Sequence, residues 1–246
     1  MKFEIKPQSK IMVALDVDEL DQARVILDQI DGTGVTIKVG NQLATYAGWE
    51  KVARLVKERG LRFFADTKFK DIPNTVGKSA RSITRYQPEF FNIMIDNNQA
   101  AIQASIEGRE QSLADYHITN RPIILGVTVL TSISDRESQE IYGGSLDQKV
   151  LQFASLAAKV GLDGVVCSAK EAQMLRSNQD TEGLLLVTPG IRPDWASHND
   201  QVRSLTPTEA LSFGVDYLVI GRPITSPPAK IGGIRKALEL ILEEVV

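Results

Sequence analysis

The stretch "LRFFADTKFKDIPNTV", residues 61–76, contains one complete unit of the fold. It opens as a short apolar run, Leu61 to Ala65, of the kind a parallel strand shows when both of its faces are covered. It ends in a burst of charge, Asp66, Lys68, Lys70 and Asp71. Pro73 then sits where the first turn of a helix tolerates proline best. The unit is therefore strand, charged strand end, helix.

The same unit recurs along the chain. Strands are expected at 11–16 (IMVALD), 35–39 (VTIKV), 61–67 (LRFFADT), 89–95 (EFFNIMI), 122–129 (PIILGVTV), 163–168 (DGVVCS), 184–190 (LLLVTPG) and 216–221 (DYLVIG). Amphipathic stretches alternate with them, among them 18–30, 43–60 and 146–161. A longer connection at about 108–121 reads as a surface insertion. Eight β units alternating with helices, with no linker or low-complexity break, predict a closed (β/α)8 TIM barrel, α/β in class, filling residues 1–246 as one domain. A doubly wound sheet is the structural alternative, but the regular repeat favours closure.

Composition bounds the partners. The 246 residues are 43% hydrophobic and carry a net charge of −3, with acids and bases interspersed. No basic tract points to nucleic acid or an anionic membrane surface. The polar N-terminus is unlike a signal peptide, and no apolar run is long enough to cross a bilayer. A single cysteine, Cys167, fits a reducing cytoplasm and a buried place at a strand end. The two histidines, His117 and His198, lie in polar stretches without metal-ligand spacing, and no zinc site is expected.

A barrel gathers its chemistry at the C-terminal strand ends. There the sequence places Asp16, Lys38, Asp66 with Lys68, Thr128 to Ser132, Gly190 to Arg192, and Gly221 with Arg222. Strand alternation sends Asp66 and Lys68 to one side of the third strand, about 6–7 Å apart. With Lys38 and Asp71 they form an alternating network, in which flanking carboxylates keep the lysines charged. A protonated lysine held against a carbon is a general acid for a carbanion. Asp18 is expected to cap the first helix, leaving Asp16 to accept hydrogen bonds from sugar hydroxyls. The turns "TPGIRP" (188–193) and "VIGRPI" (219–224) offer close backbone approach at Gly190 and Gly221 and forked donors at Arg192 and Arg222, as a phosphate requires. The loop 194–207 between them suits a lid, with Gln201 as its gripping residue.

These motifs resemble the bacterial form of the orotidine 5′-monophosphate decarboxylase family. The resemblance runs through "VALDVD" (13–18), "IKVG" (37–40), "DTKFKDIPNTV" (66–76), "GVTVLTS" (126–132), "GLDGVVCSAKE" (161–171), "TPGIRP" and "DYLVIGRPI" (216–224). It implies decarboxylation of orotidine 5′-monophosphate to UMP in pyrimidine biosynthesis, without a cofactor or metal. It implies Lys68 as proton donor, with Lys38, Asp66 and Asp71 completing the charged array. Asp16 and Lys38 would hold the ribose, Thr131 and Gln201 the nucleotide, and Arg192, Gly221 and Arg222 chiefly the phosphate. It further implies a homodimer in which Asp71 and Thr75 reach the neighbouring subunit's site. Two departures stand out: Lys70 replaces the usual histidine, and "NIMIDNN" (92–98) replaces Asn-Val-His-Ala-Ser-Gly-Gly. Other readings of the acid–lysine signature are a Mg²⁺-dependent sugar-phosphate decarboxylase or aldolase and a non-catalytic phosphate-binding barrel.

Overall fold

The computed structural model describes residues 10–196 and 205–245. In chain order the elements are β1 (Ile11–Ala14), α1 (Leu20–Gln29), β2 (Thr36–Val39), α2 (Asn41–Ala47), α3 (Trp49–Lys57), β3 (Arg62–Phe69), α4 (Pro73–Thr84), β4 (Phe90–Met94), α5 (Gln99–Asp115) and β5 (Ile123–Val127). They continue as α6 (Asp135–Tyr142), α7 (Leu146–Val160), β6 (Gly164–Val166), α8 (Ala169–Arg176), β7 (Leu185–Pro189), α9 (Pro207–Ser212), β8 (Tyr217–Ile220), α10 (Arg222–Thr225) and α11 (Ile234–Glu244). The strands close into a barrel in the order β1 to β8.

The described chain comprises two compact units, one running to Asp66 and resuming at Gly190, the other Thr67–Pro189. In the first, β1 pairs in parallel with β8 and β2, matching Ile11 with Leu218 and Ala14 with Lys38. β2 in turn sets Lys38 opposite Phe64 of β3. All of Ile11 to Ala14 is buried, as the unbroken apolar run requires. Asp18 does not cap α1. The helix begins one residue later than expected, behind Glu19, and Asp18 instead accepts a hydrogen bond from Gln42 Nε2 at 2.7 Å. The helical stretch expected at 43–60 is two helices, broken where Gly48 adopts a φ of 82° that a side chain would resist.

In the second unit β4, β5, β6 and β7 pair in parallel around Phe90, Phe91, Ile124, Leu125, Val165 and Leu186. The segment 108–121 is not a surface insertion, because its first half is the end of α5. Past Ala101 and Ile102 that helix buries Ser105, Gly108, Arg109 and Ser112 rather than a continuing apolar stripe. A Cβ on Gly108 would lie 2.1 Å from the Gly77 carbonyl oxygen of α4, so the two helices pack backbone against backbone.

Arg109 is fully buried and donates to Asp163 Oδ2 at 2.6 Å, to the Pro122 carbonyl at 3.0 Å and to Glu110 Oε1 at 2.8 Å. Asp163 also accepts the Ile124 amide at 2.8 Å and Arg121 at 3.0 Å. Removing the acid strands a buried guanidinium, which is the costly way to break such a pair. Asp163→Ala should therefore lower the unfolding free energy by about 3 kcal/mol, and Arg109→Met by clearly less. Denaturant titration of the two variants checks the order.

Candidate active site

In the first unit, strand register assembles a charged triad. Lys38 projects from β2, Asp66 from β3, and Asp16 follows the end of β1. Lys38 Nζ lies 3.0 Å from Asp66 Oδ2 and 3.4 Å from Asp16 Oδ1. The Lys38 and Asp66 side chains are only 12% and 9% exposed, whereas Asp16 is 56% exposed. The buried pair thus ends in an acceptor open to solvent. Gly40 lies alongside: a Cβ there would come within 3.7 Å of Asp66 Oδ2 and 3.8 Å of both Lys38 Nζ and Asp16 Oδ1. The absent side chain keeps that flank of the triad clear.

Burial by itself would drive the Lys38 ammonium toward its neutral form. The carboxylates of Asp66 and then Asp16 outweigh it, and the pKa is raised above the ordinary 10.5. A raised folded-state value means the charge is fully present below 10.5 and is lost only as pH climbs past the folded-state pKa. Lys38 is a fixed cation at neutral pH.

The turns after β7 and β8 belong to the same unit. Gly190 turns the chain with a φ of 84°. Arg192 is buried, its Nη1 donating to the Ile191 carbonyl at 3.0 Å and its amide to Leu205 at 2.9 Å. Gly221 precedes α10, with its vacant Cβ position 3.5 Å from Ala14 Cβ, and Arg222 is exposed. Gln201 and His198 lie outside the described residues.

The second unit carries the rest. Lys68 does not continue the regular strand conformation from which its side had been inferred. It has a φ of 46°, a left-handed conformation costing a side-chain-bearing residue roughly 1–2 kcal/mol. Its amide donates to Asn92 Oδ1 at 2.7 Å, and Thr67 Oγ1 donates to the Asn92 carbonyl at 2.6 Å. Beyond it, Lys70 Nζ pairs with Asp96 Oδ2 at 2.6 Å, and Tyr142 donates its hydroxyl to the same oxygen at 3.4 Å. Burial first, then Asp96, pushes the Tyr142 phenol up. The two departures in sequence are therefore partners in space.

Asn97 Nδ2 holds the Asp71 carbonyl at 3.2 Å, and Asp71 Oδ1 accepts the Ile72 amide at 2.6 Å. Asp71, Ile72 and Thr75 are exposed at the start of α4, and Pro73 opens that helix as expected. Thr131 lies exposed in the turn after β5. Among the described residues no group of three or more His, Cys, Asp or Glu could hold a metal ion. Sequence reasoning passed over Asn92; its signal was a lone amide within the apolar run Phe90 to Met94.

The model of the family described as Orotidine 5′-phosphate decarboxylase / HUMPS family matches residues 9–235. A protein named orotidine 5′-phosphate decarboxylase from Moorella thermoacetica is 42% identical over 234 residues, covering 93% of this chain and 90% of that one. One of the same name from Aliivibrio fischeri is 40% identical over 240 residues, with 95% and 98% covered. Among solved structures, orotidine 5′-phosphate decarboxylase from Lactobacillus acidophilus superposes with a TM-score of 0.81 at 32% identity, covering 96% of this chain and 99% of that one. An uncharacterized conserved protein from Geobacillus kaustophilus gives 0.80 at 29% identity, with 96% and 100% covered. Sequence and fold agree over nearly the whole length, and the chain belongs to the orotidine 5′-phosphate decarboxylase / HUMPS family.

Proposed function

We infer that this protein is a carboxy-lyase converting orotidine 5′-phosphate to UMP and CO2 in pyrimidine biosynthesis. The observation that carries the reading is the buried Lys38–Asp66 pair opening onto Asp16, in a chain whose relatives at about 40% identity bear that name. The family match runs through both units, which supports residues 1–246 acting as one catalytic domain.

The reaction breaks the bond between C6 of the pyrimidine and its carboxylate. CO2 departs and the electron pair remains at C6. Lys68 delivers a proton to that carbon, and its amine is reprotonated from solvent. Lys38, a cation at neutral pH, and Asp16 hold the ribose hydroxyls, while Asp66 faces the departing carboxylate. Arg192, Gly221 and Arg222 take the phosphate, and Thr131 and Gln201 the rest of the nucleotide. Binding energy from that remote phosphate helps assemble the dehydrated site. No cofactor enters the scheme.

The protein acts as a homodimer in which Asp71 and Thr75 complete the site of the partner subunit. Both are exposed, as is Ile72 between them with 64% of its surface open, so this segment is accessible to a partner subunit. No helix among the described residues is long and apolar enough to cross a membrane. The single cysteine is buried, and one thiol in the whole sequence leaves no internal disulfide to form, in keeping with the cytoplasm.

Loss of pyrimidine absorbance on mixing the purified protein with orotidine 5′-phosphate tests the activity. Turnover should proceed with UMP as product and be unchanged by EDTA. No turnover, or a loss in EDTA that Mg²⁺ restores, would turn the assignment toward a metal-dependent sugar-phosphate enzyme.

A further inference from the structure

We propose that Asn92 is the positioning residue for Lys68, an inference that rests on the decarboxylase reading for its functional consequence. Among the described residues three side-chain-bearing residues have positive φ: Lys68, Gln87 and His117. Gln87 and His117 lie just beyond the ends of α4 and α5, where chains commonly reverse. Lys68 alone lies within a strand. A left-handed residue in that setting persists only if its surroundings hold it there.

Asn92 provides the hold. It is 1% exposed in the middle of β4 and is fixed in register opposite Leu125 of β5. Its side-chain oxygen takes the Lys68 amide at 2.7 Å, and its carbonyl takes the Thr67 hydroxyl at 2.6 Å. Successive residues of β3 are thus tied to one residue of β4. Its neighbours Phe91 and Ile93 are fully buried apolar side chains, so packing alone gives no reason for an amide at this position. The clamp sets the peptide from which the Lys68 side chain departs, and so the path its ammonium follows. Asn97 on the Asp71 carbonyl and Asp96 on Lys70 extend the same tie to the residues that follow.

Losing the acceptor should let the Lys68 backbone relax toward an ordinary extended conformation and displace the proton donor. A misplacement of about 1 Å costs on the order of 100-fold in rate. In the full-length chain, Asn92→Ala is expected to lower kcat by about 100-fold, leaving UMP affinity within about threefold of wild type. Amide exchange read by NMR supplies the second measurement. The Lys68 amide should be protected in the wild type and exchange at least tenfold faster in the variant. A kcat within threefold of wild type, a matching loss of UMP affinity, or unaltered Lys68 exchange overturns the proposal. If Asn92→Ala does not fold, Asn92→Ser, whose hydroxyl is too short to reach that amide, is judged by the same thresholds. Exchange needs no substrate. A wild-type protein without turnover would sink the decarboxylase reading, while the clamp would still be decided by the exchange rates.

Discussion

Lys68→Ala is expected to lower turnover of orotidine 5′-phosphate by about four powers of ten or more while leaving UMP binding within a few-fold. The size follows from what the other groups can supply. Decarboxylation leaves an electron pair on an sp² carbon with no conjugated sink. Repulsion between Asp66 and the substrate carboxylate, at ~4 Å and an effective dielectric near 20, amounts to ~4 kcal/mol. Fully relieved in the transition state, it yields about three powers of ten. Such a reaction needs far more. In the proposed scheme the larger share falls to a preorganised cation beside the developing charge, with Lys68 as the cation that also carries the proton. Lys38 already pairs with Asp66 and Asp16 and in the proposed scheme also holds the ribose, which assigns it a different task. Steady-state rates and UMP titration on the same preparation separate catalysis from binding; turnover within tenfold of wild type would remove Lys68 from the role.

The second large effect concerns the proposed dimer. Asp71→Ala should be nearly inactive by itself, and so should Lys68→Ala, but a mixture of the two should recover activity. Asp71 and Thr75 lie exposed where α4 begins, on either side of the exposed Ile72. A two-fold axis beside this segment would make every contact twice. In the proposed homodimer Asp71 would then serve Lys38 and Lys68 of the partner subunit, and each heterodimer would hold one site with both lesions and one with neither. Random exchange at equal mixing restores about a quarter of wild-type activity. Confirmed exchange with no return of activity would place Asp71 in its own subunit's site.

How far the sequence reaches can be judged element by element. The strands were legible because buried parallel strands are runs of Ile, Val, Leu and Phe, and each expected run contains or overlaps an observed strand. Their ends were not: β5 stops at Val127 and β6 at Val166, two residues short of the expected ends at 129 and 168. α5 was half missed because beyond Ala101 and Ile102 its buried face is Ser105, Gly108, Arg109 and Ser112, and the sequence from 108 onward read as a polar loop. Only the close approach of Gly77 and the acid at Asp163 make that face a packing surface. In the site, Asp16, Lys38 and Asp66 could be grouped from strand ends alone, since register in a parallel barrel follows chain order. Lys68 could not be oriented the same way. Period-two reasoning assumes one repeated backbone conformation, and a φ of 46° departs from it at the residue that matters most. Asp96 was visible as an extra acid, but its pairing with Lys70 and Tyr142 links three separate stretches of chain.

In the proposed mechanism an ammonium at position 68 drives the chemistry, a role open to chemical rescue. Cys167 is the only cysteine in the sequence and is fully buried, so a thiol introduced by Lys68→Cys can be alkylated selectively. Treatment with 2-bromoethylamine converts it to S-aminoethylcysteine, which restores a primary amine at nearly the length of lysine. The variant should be inactive before treatment and should gain at least tenfold in turnover afterwards. Complete aminoethylation at residue 68, established by mass spectrometry, with no gain in turnover would contradict the assignment.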